Sequence, residues 1–193
     1  MHDHLKDRHI ILASRSPRRR FLLKQMGLVF TEISAEIDEN YPEGMNPDEI
    51  AVYLAEKKAD HFQHYLEHKN NIMITADTLV VIDGHIIGKP EGIEGARNML
   101  KLLSGRMHQV VTGVTIRNFE KSITFTDWTD VYFKALSEEE IHYYLERFVP
   151  LDKAGAYGIQ EWIGYIGVQR IDGSYYNVMG LPVHRLYEEL SKF

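Results

Sequence analysis

The run His9-Ile10-Ile11-Leu12-Ala13 is short and apolar, and Ser14-Arg15-Ser16-Pro17 ends it with an N-cap serine and a proline suited to a first helical position. The pattern predicts strand, tight loop and helix. That helix is expected to turn Phe21, Leu22, Leu23 and Met26 inward and to stop at Gly27. Leu28 to Ser34 reads as a second strand, followed by the acidic loop Asp38-Glu39-Asn40-Tyr41-Pro42-Glu43-Gly44. Asn46 and Pro47 open a long helical segment whose apolar positions Ile50, Leu54, Phe62 and Leu66 keep near-helical spacing. Its acidic first turn, Asp48 and Glu49, suits the helix dipole.

Towards the centre, Ile72 to Ala76 reads as a strand, and Leu79-Val80-Val81-Ile82 faces Ile86-Ile87 across an Asp83-Gly84 hairpin turn. A helix from about Ile93 to Leu103 precedes two β-rich runs, Gln109 to Arg117 and Ser122 to Lys134. Ser137 and Glu140 then form a capping box for a helix reaching Phe148, and an amphipathic helix near Pro182 to Leu190 closes the chain. Alternating helices and strands without repeats or a linker define an α/β protein with a mixed sheet, read as one domain over 1–193 with a weak boundary near Lys134.

Composition narrows the function. Of 193 residues 22 are basic and 28 acidic, a net charge of −6 that argues against a protein coating nucleic acid by charge. Cysteine is absent, so disulfide scaffolds, Cys-ligated zinc and thiol catalysis are excluded. No run approaches the roughly 18 apolar residues of a membrane span, and no secretory leader is visible, so the expected location is cytoplasmic.

Two segments stand out chemically. Ser14-Arg15-Ser16-Pro17-Arg18-Arg19-Arg20 gathers arginines and hydroxyls at a helix N-terminus, where cations oppose the macrodipole unless an anion is close; phosphate oxygens would resolve that tension. Thr75-Ala76-Asp77-Thr78 puts a carboxylate at the expected end of an apolar strand, where open α/β sheets bind ligands. Asp77 could hold a divalent cation or accept a proton from water, or simply cap a turn. Lys89 in Gly88-Lys89-Pro90 and Glu39 in the acidic loop read in isolation as solvated loop residues. His61, His64 and His68 lack the internal glutamate of the helical zinc motif and read as a solvated face, while His2, His4 and His9 read as a frayed terminus. P-loop, dinucleotide-binding and serine-hydrolase signatures are missing. Trp128, Trp162 and Tyr165 are expected in the core.

Taken in order, Leu12-Ala13-Ser14-Arg15-Ser16-Pro17-Arg18-Arg19, Leu54-Ala55-Glu56-Lys57-Lys58-Ala59, Ala76-Asp77-Thr78, Gly88-Lys89-Pro90, Ser104-Gly105 with His108 and Thr112-Gly113-Val114, and Lys153 to Gln160 resemble the Maf family of nucleoside triphosphate pyrophosphatases. The resemblance runs from Ile10 to about Leu190. Gly155-Ala156-Tyr157-Gly158-Ile159-Gln160, Gly173-Ser174-Tyr175, Asn177-Val178 and Gly180-Leu181-Pro182 are similar to its dTTP/UTP branch, with a departure at Glu161, where that branch usually has Gly.

The resemblance implies an elongated, inosine triphosphatase-like α/β fold whose mixed sheet is shared by two lobes around a central cleft. It also implies hydrolysis between the α and β phosphates, giving a nucleoside monophosphate and pyrophosphate, with Mg²⁺ or another divalent cation such as Mn²⁺. Asp77 matches the proton acceptor and, with Glu39, the metal-holding positions; Ser14, Arg19, Lys58 and Lys89 match the phosphate contacts; Arg18, Thr78 and Gln160 match positions that tune substrate choice. Lys58 rather than Lys57 is selected by the Leu-Ala-x-x-Lys-Ala pattern alone. A homodimer is implied too, while charge and hydropathy lead us to expect no nucleic-acid or membrane partner. The alternatives are a pyrophosphatase for modified pyrimidine nucleotides and a nucleotide-sensing regulator of cell division.

Overall fold

A computed structural model describes residues 5–193, so His2 and His4 lie outside the described residues. The strands are β1 (His9–Ala13), β2 (Phe30–Ile33), β3 (Asn71–Ile82), β4 (His85–Ile87), β5 (Met107–Arg117), β6 (Ser122–Phe133) and β7 (Val168–Asp172). The helices are α1 (Pro17–Gln25), α2 (Pro47–His61), α3 (Gly92–Leu103), α4 (Glu138–Phe148), α5 (Trp162–Gly167), α6 (Tyr175–Met179) and α7 (Val183–Leu190). All seven strands belong to one mixed sheet in the order β2-β1-β3-β5-β6-β7, with β4 paired to β3. β1 runs parallel to β2 and β3, whereas the β3–β4 and β6–β7 pairs are antiparallel. The α/β class with a mixed sheet flanked by helices is therefore as expected.

The chain groups into two compact units. One comprises 1–77, 112–127 and 180–193, the other 78–111 and 128–179. The boundary expected near Lys134 is not there. The chain changes unit after Asp77, Val111, Asp127 and Met179, three of which fall inside the long strands β3, β5 and β6. A hydrophobic run carries no mark where a continuous strand leaves one core and enters another.

Local chemistry explains most elements. Ser16 caps α1 by accepting from the Arg19 amide, and Pro17 opens the helix. Asn46 with Glu49 and Ser137 with Glu140 form capping boxes on α2 and α4. The Asp83-Gly84 turn has φ of 49° and 77°, the left-handed pair that a two-residue type I′ hairpin requires. Three expectations need correction. Ile72–Ala76 and Leu79–Ile82 are one twelve-residue strand, buried almost throughout, so Asp77 lies mid-strand. The segment after Pro47 does not continue as one α-helix: α2 ends at His61 and a 3₁₀ turn spans Gln63–Glu67, with Phe62 and Leu66 still buried. His9 is not frayed; it opens β1, its Nε2 2.7 Å from Thr31 Oγ1 and its Nδ1 3.1 Å from Asn71 Oδ1.

In α1, Leu22 and Leu23 are buried as expected, but Phe21 is 51% exposed and Arg19 takes a buried place. Positions 19, 22, 23 and 26 share a helical face that 21 does not. The aromatic expectation fails in one case outright, since Tyr165 is 78% exposed, and Trp128 and Trp162 are only half-buried. The exposed His61, His64 and His68 agree with a solvated face. Between α4 and α7 the structure adds α5, β7 and α6, elements the hydrophobic pattern does not predict.

Packing in the first unit brings α2 directly against the sheet. Thr75 Oγ1 donates to the Ala55 carbonyl at 2.7 Å, and a Cβ built on Gly113 would lie 2.2 Å from the Ala51 carbonyl oxygen. Ala13, Ala59, Phe62, Leu66 and Met73 form a cluster on which Ile33, Ala35 and Ile37 pack. These three residues secure the chain leading to Glu39. In the second unit, His108 Nε2 lies 2.7 Å from Tyr157 Oη, and the two rings pack edge-on with Phe133. Burial holds the His108 imidazole neutral by lowering its pKa to about 4.

Gly113→Ala is expected to cost about 3 kcal/mol, because a methyl group there forces backbone against backbone; a denaturant midpoint equal to that of wild type would refute the close approach. His108 protonates more readily in the unfolded chain, so its stabilising contribution is complete above about pH 6.5 and is lost as pH falls through about 4. Chemical denaturation across that window should show a fall of order 3 kcal/mol that His108→Gln flattens.

Candidate active site

The strand β1 delivers Ser14 to the start of α1, where the Ser14 amide donates to the Ile33 carbonyl at 3.0 Å. Its hydroxyl accepts from the Ser16 amide at 3.2 Å and from Arg19 Nη1 at 3.4 Å. Arg19, 9% exposed, donates through Nε to the Gly180 carbonyl at 2.7 Å, a contact that brings the segment before α7 into the site. Desolvation lowers its pKa to about 10, opposed by the negative charges of Asp77 and Glu39 and aided by the neighbouring Arg18. The guanidinium therefore stays charged at neutral pH.

Opposite charge is concentrated at one point. The Lys58 ammonium, on α2, is paired with Asp77 Oδ1 on β3 and lies 3.4 Å from Glu39 Oε1 in the acidic loop. Asp77 is 7% exposed and the Lys58 side chain 15%. Each of these charges needs a partner, since an isolated ion at such depth costs several kcal/mol. The adjacent Lys57 turns elsewhere: its ammonium reaches the Asn40 carbonyl at 2.9 Å and Asp38 Oδ2 at 3.4 Å. A backbone bond from Asn40 and the charge of Lys57 hold the Asp38 carboxyl below the usual range. The two lysines thus tie the acidic loop to α2 from successive positions, and the geometry separates them where sequence pattern alone had to.

The structure brings Ser14, Arg18, Arg19, Glu39, Lys58 and Asp77 into the first unit, with Arg19 electrostatically coupled to Arg18, Glu39 and Asp77. Thr78, Lys89 and Gln160 belong to the second unit. Lys89 is exposed, on a loop whose preceding Gly88 carbonyl accepts from the Gly155 amide at 3.1 Å. Gly155 has φ of 68° and sits 3.2 Å, at its notional Cβ, from Val80, so this glycine serves both the turn and the approach to β3. Gln160 is half-buried, and its Oε1 is buried without a hydrogen-bond partner.

Sequence reasoning missed the roles of Gly180 as the carbonyl that holds Arg19, and of Asp38 and Asn40 as anchors of the acidic loop. It also missed Tyr144 and Lys153 as the partners of Glu161, the residue after Gln160. The only sequence signal for Gly180 was its place in Gly180-Leu181-Pro182. Tyr144 shares the buried face of α4 with Ile141 and Leu145, where a phenol must find a polar partner.

Among the described residues, no group of three or more His, Asp or Glu is placed to hold a metal. Two carboxylates converging on one ammonium nevertheless fit a hard divalent ion of the magnesium type. Such an ion commonly takes one or two carboxylates, with the remaining positions filled by water and substrate phosphate. A zinc-type site closed by four protein ligands does not fit.

The chain belongs to a recognised family of α/β proteins: residues 9–193 match the Maf family, described as Maf-like protein. Among its relatives, the dTTP/UTP pyrophosphatase of Porphyromonas gingivalis is 51% identical over 100% of this chain and 98% of its own length. That of Bacteroides thetaiotaomicron is 50% identical over 95% of each chain. The solved structure of the Staphylococcus aureus Ham1 protein is matched at a TM-score of 0.49 and 16% identity, covering 96% of this chain and 99% of that one.

Lys58→Met should destabilise the protein by about 3 kcal/mol by stranding the Asp77 carboxylate. Adding Asp77→Asn should restore much of that loss, as a denaturation double-mutant cycle would reveal; additive losses would show that the pair is not coupled.

Proposed function

We propose that the protein is a nucleoside triphosphate pyrophosphatase acting on dTTP and UTP. One observation carries the reading: the buried Arg19 of α1 and Lys58 of α2 gathered with the carboxylates of Asp77 and Glu39, an arrangement that supports contact with phosphate oxygens and a metal ion. The names of relatives at about half identity over the whole chain support the substrate and reaction class.

In this reading the oxygen of a water molecule attacks the α-phosphorus, the bond from that phosphorus to the oxygen bridging the β-phosphate breaks, and nucleoside monophosphate and pyrophosphate leave. Asp77 accepts the proton of the attacking water. A triphosphate offers Lys58 a more highly charged partner than a single carboxylate, which releases Asp77 for that work. Arg19, Lys58 and Lys89 neutralise the phosphates and the departing pyrophosphate, and the Ser14 hydroxyl donates a hydrogen bond to a phosphate oxygen. Asp77 and Glu39 would hold the divalent ion, Mg²⁺ or Mn²⁺, which supplies further charge neutralisation on the phosphate oxygens. A carboxylate tightly bound to metal is a poor base, so the two roles assigned to Asp77 compete, and Glu39 is the stronger candidate for the steady ligand.

Arg18, Thr78 and Gln160 tune substrate choice. The Gln160 amide carries one acceptor and one donor side, matching the N3–H and O4 of thymine or uracil. Its unpartnered Oε1 supports that assignment. Among the described residues no helix is long and apolar enough to cross a membrane. A cytoplasmic homodimer completes the proposal.

Incubation with Mg²⁺ and dTTP, UTP, CTP, GTP or 7-methyl-GTP, with pyrophosphate and orthophosphate assayed separately, tests the reading. Pyrophosphate should form from dTTP and UTP, and Asp77→Asn should lower kcat by about 10²–10⁴. Orthophosphate as the first product would overturn the α–β cleavage.

A further inference from the structure

Glu161 follows Gln160 directly, and it is neither solvated nor isolated. Its Oε1 lies 3.2 Å from the Lys153 ammonium, and its Oε2 accepts a hydrogen bond from the Tyr144 phenol. The side chains of Lys153 and Glu161 are only 10% and 20% exposed. Tyr144 is fully buried, and its hydroxyl oxygen in turn accepts from the Gly158 amide at 3.0 Å. The Glu161 amide closes the turn by donating to the Gly158 carbonyl at 2.9 Å. Burial, and then the Glu161 carboxylate, push the Tyr144 phenol well above its ordinary pKa, so it remains a donor.

The consequence falls on the residue between. Gly158 and Glu161 bracket Ile159 and Gln160, and both brackets are tied to the same phenol. Gly158 must lack a side chain for this to happen, because a Cβ there would lie 2.7 Å from the Glu161 carboxyl carbon. From the other side, Gly164 lets α5 close on the turn, its notional Cβ only 1.8 Å from the Ile159 carbonyl oxygen. Gln160 therefore projects from a backbone held at both ends, with a buried, unpartnered Oε1.

Holding matters because an amide is nearly symmetric in shape and opposite in hydrogen bonding. Turned one way it matches the donor N3–H and acceptor O4 of thymine or uracil; turned over, it matches the acceptor N3 and donor N4 of cytosine. An amide on a loose turn accepts either base. We propose that Glu161, acting through Tyr144 and paired with Lys153, is a positioning residue that holds Gln160 in the orientation selecting thymine and uracil over cytosine. The inference rests on the proposed pyrimidine triphosphate function.

The test is the ratio of kcat/KM for dTTP to that for dCTP, together with the ratio of their Kd values measured calorimetrically in EDTA. Glu161→Ala is expected to reduce the preference for dTTP about tenfold in both readouts, the scale of one well-placed hydrogen bond. Tyr144→Phe, which keeps the ring but removes the link, should do the same, and the double variant should lose no more than either alone. Loss of active protein lowers both substrates equally and leaves the ratio unmoved. An unchanged ratio in Glu161→Ala overturns the inference. If Glu161→Ala does not fold, an unchanged ratio in Tyr144→Phe overturns it. A wild-type protein that binds dTTP but releases no pyrophosphate would refute the proposed reaction, while the Kd ratio would still decide the role of Glu161.

Discussion

The shared ammonium of Lys58 is the point on which the first unit turns. Two carboxylates from distant stretches of chain, Asp77 in β3 and Glu39 in the acidic loop, meet one cation from α2. Lys58 and Asp77 are buried deeply enough that each needs a partner, while Glu39 reaches the same ammonium from the exposed loop. Their meeting requires that α2 lie close on the sheet, which Gly113 allows by omitting a side chain and Thr75 secures through the Ala55 carbonyl. It also requires that the loop carrying Glu39 be held, which the packing of Ile33, Ala35 and Ile37 and the outward grip of Lys57 provide. Arg19 completes the arrangement from the opposite sign, its burial offset by Asp77, Glu39 and the Gly180 carbonyl. A site so rich in paired charge is poised for a highly charged ligand, because phosphate oxygens exchange for carboxylates without leaving any cation bare.

The second unit solves a similar problem with a different result. Lys153, Glu161 and Tyr144 form a buried polar network whose last link is a backbone amide. In the first unit the pairing joins a helix, a strand and a loop; in the second it shapes a turn. His108 and Tyr157, side by side in the same core, are held neutral by burial and contribute packing rather than charge. A neutral polar pair can be buried at the cost of hydrogen bonding alone, whereas ions need partners of opposite sign.

Much of the local structure was legible. The N-cap at Ser16, the capping boxes at Asn46 and Ser137 and the Asp83-Gly84 turn are decided by side chains that act within four residues, and the structure has them where the pattern put them. Errors arose where range increased. The short signals around Asp77 belong to one strand, because Thr75 and Asp77 are polar residues whose needs are met from α2. Phe21 lies off the face of α1 that points inward, and Arg19, which shares that face with Leu22 and Leu23, is buried because it finds a carbonyl and counter-charges inside.

The candidate site divides along the same line. Sequence by itself determined the residue types, the order of the motifs, the family and a cationic helix start in search of an anion, since each of these is carried by adjacent residues. Tertiary structure alone decided that Lys58, the lysine the pattern had already singled out, pairs with Asp77, that Gly180 holds Arg19, and that Glu161 is tied through Tyr144 to the turn bearing Gln160. Those pairings join residues 14 to 161 positions apart, and whether two charges meet at such separations depends on how the elements carrying them pack, which no local pattern records.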